Sequence, residues 1–127
     1  MIAVHNRNEL DNFVINNHDK IILLYFGAVW CGPCKKLKNI LKDEEFMKQY
    51  EKLSVVYIDI DNDNLEEIVE LYNISSIPVV CLSLLIDNQV KTIDTVVGFN
   101  WSKVVDIYER GLQILNNNEK VNDNTNK

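Results

Sequence analysis

The stretch Ile21-Ile22-Leu23-Leu24-Tyr25-Phe26-Gly27-Ala28-Val29-Trp30-Cys31-Gly32-Pro33-Cys34 decides the reading of this chain. Six consecutive apolar residues, Ile21 to Phe26, have the pattern of a central β-strand buried on both faces. After Pro33 the period changes. Leu37, Ile40 and Leu41, with Phe46 and Met47 beyond them, recur at helical spacing among lysines and acids. Pro33 suits the first turn of a helix, where its missing N–H breaks no intrahelical bond. Cys31 and Cys34 therefore fall at a strand-to-helix junction.

That placement has chemical consequences. In thiol–disulfide exchange a thiolate attacks a disulfide, a mixed disulfide forms, and a second thiol nearby releases the product. An exposed first cysteine with a lowered pKa is needed, together with a second one close enough to close a small ring. Free N–H groups and the macrodipole at a helix N-terminus favour the thiolate. The Gly32-Pro33 pair permits a tight turn and then sets helical φ. Lys35 and Lys36 add positive charge within the first turn.

Working outward, Asn8 to Asn17 reads as a short amphipathic helix with Leu10, Phe13, Val14 and Ile15 apolar. Leu53 to Ile60 reads as a second buried strand. Asp61 to Asn64 is a turn able to cap a helix from Leu65 to Tyr72. Val79–Ile86 and Val90–Val97 read as a hairpin joined by Asp87-Asn88-Gln89. Asn100 or Ser102 caps a last helix to about Leu115. The expected order is β-α-β-α-β-α-β-β-α, an α/β fold with a central mixed sheet flanked by helices. Asn116 to Lys127 has one aliphatic residue, Val121, and is expected to be a disordered Asn-rich tail after a domain spanning residues 1–115.

Whole-chain properties narrow the function. With 127 residues there is room for one domain, and 46% hydrophobic with 25% charged residues fits a globular protein. A formal net charge of -6 disfavours nucleic acid and anionic lipid as partners. The longest apolar run is too short to span a bilayer. No leader is legible at Met1 to Arg7, so a cytoplasmic address is expected, although a chain trimmed of its leader would read the same. Three cysteines, Cys31, Cys34 and Cys81, are too few for a disulfide framework and fit a reducing compartment.

Trp30-Cys31-Gly32-Pro33-Cys34-Lys35 matches the active-site motif of the thioredoxin family letter for letter. Ile77-Pro78 stands where the family carries a cis-proline, and Gly98 where it carries a further glycine. The chain thus resembles a thioredoxin from Ile2 to about Leu115. The resemblance implies the thioredoxin fold, with Cys31 attacking and Cys34 resolving. It also implies Trp30, Gly32, Pro33 and Lys35 as support, and Ser75-Ser76, Ile77, Pro78, Gly98 and Phe99 around a docking surface. Substrates would be disulfide-bonded proteins, with thioredoxin reductase or glutathione as electron donor in cell redox homeostasis. The resemblance also implies no cofactor beyond the cysteine pair, and a monomer. Gly-Pro between the cysteines resembles reducing members more than isomerases, which usually carry Gly-His.

The chain departs from that family at four places. Tyr25 holds the place of a buried aspartate thought to move the proton of the resolving thiol, and Tyr57 that of its partner lysine. Gly27 stands where a tryptophan is common, and Asn39 where a proline kinks the active-site helix. These replacements put recognition by a reductase in question, and they support an alternative in which the domain is a binding or adaptor module.

The blander readings are these. A zinc site would need four ligands, and only Cys81, His5 and His18 remain beyond the Cys-x-x-Cys pair. Cys81 reads as a core thiol and Trp101 as packing. Asp59, Asp61 and Asp63 read as a solvated turn, since the glycine and distal glutamate of a calcium loop are missing.

Overall fold

The structure is a computed structural model that describes residues 1–125. In chain order its elements are β1 (Ile2–Ala3), α1 (Arg7–Asn16), β2 (Ile21–Gly27), α2 (Gly32–Lys42), α3 (Glu44–Met47) and β3 (Leu53–Asp59). A 3-10 turn (Asp63–Leu65) leads into α4 (Glu66–Leu71), followed by β4 (Val79–Ile86), β5 (Gln89–Val97) and α5 (Trp101–Thr125).

The five strands form one sheet in the order β1-β3-β2-β4-β5. The run that opened the sequence analysis is its middle strand, and every residue of β2 is buried. Strands β1 and β2 both pair with β3 in parallel, while β4 runs antiparallel to β2 and to β5. Alternate residues of β2 feed two cores. Ile21, Leu23 and Tyr25 point to the side covered by α2 and α5, and Ile22, Leu24 and Phe26 to the side covered by α1 and α4.

Local chemistry fixes the boundaries. Helix α1 begins one residue earlier than expected because the Asn6 side chain accepts from the Glu9 N–H at 2.9 Å. Of its expected apolar face, Leu10 and Val14 are buried and Ile15 is exposed. The expected single helix after Pro33 is interrupted at Asp43, which ends α2 and caps α3 through its bond from the Phe46 N–H at 3.0 Å. The hairpin loop is two residues, Asp87 and Asn88, both with positive φ, and Gln89 already pairs with Ile86. Asn100, not Ser102, caps α5, accepting from the Lys103 N–H at 3.2 Å.

Helix α5, expected to end near Leu115 before an Asn-rich tail, runs to Thr125. Extending a helix fixes one residue for each new hydrogen bond, and neither Gly nor Pro follows Gly111 to stop it. Asn126 and Lys127, the end of that tail, lie outside the described residues. Among the described residues no helix is long and apolar enough to cross a membrane.

Candidate active site

The site lies at the C-terminal ends of the parallel pair β2 and β3, where open α/β sheets place their chemistry. Gly27 pairs with Asp59 there, and the Ile60 N–H donates to the Gly27 carbonyl at 3.0 Å. The chain then turns through Ala28-Val29-Trp30 and enters α2 with Pro33 in its first turn.

Cys31 is the N-cap of α2, and its Sγ accepts from the Cys34 N–H at 3.2 Å. A sulfur in that position lies against the unsatisfied N–H groups and the positive end of the helix dipole. Cys31 and Cys34 are joined in a disulfide, with Cα atoms 5.3 Å apart. The expectation of an exposed attacking cysteine is corrected for this oxidised state, in which Cys31 is only 4% exposed. Its sulfur is bonded to Cys34, while Val29, Trp30, Gly32, Pro33 and Lys35 around it are exposed.

Trp30 is anchored by a contact the sequence reading missed. Its Nε1–H donates to the Asp61 carboxylate at 2.7 Å. Asp61 is therefore part of the site and not only a solvated turn residue. Strands β2 and β3 end side by side, which brings positions 30 and 61 together, and no local pattern in the sequence marks that pairing.

Beneath the disulfide, Tyr25 and Tyr57 face each other across β2 and β3 in matched register, with ring centroids 5.0 Å apart. The buried Tyr25 hydroxyl donates to the Cys34 carbonyl at 3.2 Å. Burial pushes the Tyr25 pKa up. Tyr57 is pushed up to about 12, first by burial and then by the charges of Asp59 and Asp61 and by Tyr25. Lys38 lies over the Tyr57 ring with its Nζ 5.6 Å from the centroid. Two of the departures noted above prove to be one feature. A Cβ added at Gly27 would stand 2.6 Å from the Tyr25 hydroxyl and 2.8 Å from its ring. The glycine makes room for the tyrosine.

The second rim comes from the turn before β4. The Ile77-Pro78 peptide is cis, and Ile77 packs against the cluster that holds Cys31 and Cys34. The Gly98 N–H donates to the Pro78 carbonyl at 2.8 Å, with Gly98 at φ 85°. Only glycine adopts that φ without strain. Ser75, Ser76 and Phe99 are exposed on the same rim. Cys81 is buried on the opposite core face, accepting from Thr95 Oγ1 at 3.6 Å. Trp101 packs tilted against Phe46 and edge-on to Tyr50, at centroid distances of 5.8 and 5.6 Å. Among the described residues no group of three or more His, Cys, Asp or Glu side chains is placed to hold a metal ion.

Comparison with known proteins agrees with this geometry. The family profile described as Thioredoxin matches residues 1–108. The chain belongs to the thioredoxin family. Thioredoxin 1 of Plasmodium falciparum is 31% identical over 107 residues, covering 84% of this chain and 93% of that protein. The TPR repeat-containing thioredoxin TDX of Oryza sativa subsp. japonica is 32% identical over 100 residues, 77% of this chain, which spans 29% of that longer protein. The solved thioredoxin of Trichomonas vaginalis superposes with a TM-score of 0.74 at 25% identity, covering 87% of this chain and 96% of that one. With its Cys-x-x-Cys disulfide at the head of α2, this thioredoxin-family domain is a thiol–disulfide oxidoreductase, and protein-disulfide reduction is the chemistry of the family.

Proposed function

We propose that the protein reduces disulfides of other proteins in a reducing compartment. The observation that carries this reading is Cys31 Sγ seated as the N-cap of α2, in bonding distance of its resolving partner. In the reduced protein the Cys31 thiolate attacks one sulfur of a substrate disulfide, and the substrate's other sulfur leaves as thiolate and takes up a proton. Cys34, once deprotonated, attacks Cys31 Sγ, and the second substrate sulfur leaves as thiol. The product is the Cys31–Cys34 disulfide seen here. A thioredoxin reductase or glutathione then returns two electrons.

Exposed Trp30, Ser76 and Phe99, with Ile77, Pro78 and Gly98 between them, support docking of an extended substrate segment. The protein works as a cytoplasmic monomer with no cofactor beyond the dithiol. Three sparse cysteines, too few for a disulfide framework, support the reducing compartment. Beneath Cys34 stand two tyrosines and no carboxylate in β2. Burial raises both phenol pKa values, so Tyr25 and Tyr57 stay protonated near neutrality and do not serve as its base. The mixed disulfide consequently lives longer than in thioredoxins with the buried aspartate.

Mixing Cys34→Ser with a disulfide-bonded protein should give a covalent adduct on Cys31 by mass spectrometry. Stopped-flow resolution by the unmutated protein should be slower than in an aspartate-containing thioredoxin. An adduct that fails to form refutes the attacking role of Cys31, and equal resolution rates refute the effect of the tyrosines. A domain that forms no adduct yet retains partners would fit the adaptor reading, which the two tyrosine replacements favour.

A further inference from the structure

On the face of the sheet away from the disulfide, a cleft of about 220 Å³ opens between α1, α4 and the β4–β5 ribbon. It exists because α4 is only six residues long and stops at Leu71, while the ribbon runs on to its turn at Asp87-Asn88. Leu10, Val14, Ile22, Leu24 and Ile68 make a buried apolar floor, and among them lies Ser83. Ser83 is 1% exposed, and its hydroxyl has no hydrogen-bond partner among the protein's own atoms. A buried hydroxyl without a partner is costly, and native structures satisfy such groups with protein, water or ligand.

The rim sets the kind of molecule that enters. Leu71 and Val90 stand there 67% and 45% exposed, extending the apolar surface to the mouth. Arg7 is neutralised by Asp11 at 3.1 Å and Glu67 at 3.5 Å, so one cation faces two carboxylates and the mouth does not attract anions. For scale, an apolar cavity of about 150 Å³ accepts benzene.

We propose that this cleft binds a small, uncharged, mostly apolar molecule of one or two rings that carries a single polar group bonded to the Ser83 hydroxyl. The site is separate from the cysteine pair. Nothing in the exchange chemistry uses it.

The test uses the full chain with indole as probe, and indene as the same shape without the N–H. Indole should shift the amide NMR resonances of Leu24, Ser83 and Val90 saturably, and indene should bind about fivefold more weakly, the ratio expected for one net hydrogen bond. Ser83→Ala should weaken indole to the level of indene and leave indene unchanged. Val14→Phe, which fills the floor, should abolish both while disulfide reduction continues. If that variant misfolds, the Ser83→Ala comparison decides alone. The proposal is overturned by indole shifts that do not saturate or map to the Trp30 face. It is equally overturned by equal affinities of the two probes, or by a bound water on Ser83 that indole never displaces.

Discussion

Replacing Gly27 by alanine tests whether Tyr25 and Gly27 form one packed unit under the active-site helix. The new Cβ would stand 2.6 Å from the Tyr25 hydroxyl and 2.8 Å from two of its ring carbons. The ring has little room to yield. It is 1% exposed, lies against Tyr57 at 5.0 Å, and is held by the bond to the Cys34 carbonyl at 3.2 Å. Overpacking of this kind costs about 1–3 kcal/mol, and losing the tyrosine bond adds about 1 kcal/mol. Alanine in a strand recovers about 0.5–1 kcal/mol relative to glycine. The φ at Gly27 is not positive, so the backbone itself accepts a side chain.

The net expectation for Gly27→Ala is a loss of about 1–3 kcal/mol. Urea unfolding followed by far-UV circular dichroism reads it as a lower midpoint, about 0.3–1 M for each kcal/mol, at unchanged slope. The same substitution in a Tyr25→Leu background meets none of the three close atoms, and there it should stabilise by about 0.5–1 kcal/mol. A change of sign between the two backgrounds is the signature. Equal losses in both, or a loss below about 0.5 kcal/mol in the parent chain, would refute the coupling.

Other expectations follow from single groups. Because the Tyr57 pKa rises from 10.0 to about 12 on folding, its contribution to stability is complete below the unfolded pKa and is lost as pH climbs through the folded value. Unfolding midpoints should therefore fall between pH 10 and 12, and Tyr57→Phe should flatten that fall; an unchanged slope contradicts the assignment. Burial raises the Cys81 pKa, so in the oxidised protein iodoacetamide near neutrality should add nothing to the native chain and one group in urea, read by mass. Asn100→Ala removes the cap of α5 and should cost about 1 kcal/mol in the same urea assay, and no change would show that the bond to Lys103 is not needed.

Much of this was legible because the informative signals are local. The unbroken run Ile21 to Phe26 has the pattern of a strand buried on both faces, and Cys31 to Cys34 sit at its junction with a helix. The sequence reading places the start of α1 one residue late, because it misses the cap at Asn6, which accepts from the Glu9 N–H. The break at Asp43 was not legible, because it is made by a side chain serving two helix ends and not by a glycine or proline. Trp30 and Asp61 meet only once the register of β2 and β3 is known. The fit of Tyr25 to Gly27 likewise needs knowledge that positions two apart on that strand share a crowded face. The cleft at Ser83 arises where two short helices fail to meet over the sheet, a gap no single segment announces.

The central claim is that the Cys31–Cys34 pair turns over as a protein-disulfide reductase. Insulin reduction with dithiothreitol as donor tests it most directly, because a chemical donor separates thiol chemistry from recognition by a reductase. The protein should accelerate precipitation of the insulin B chain well beyond dithiothreitol alone, and Cys31→Ser should remove the acceleration completely. Parent protein no faster than Cys31→Ser would contradict the claim and leave the domain as a binding module built on a thioredoxin frame.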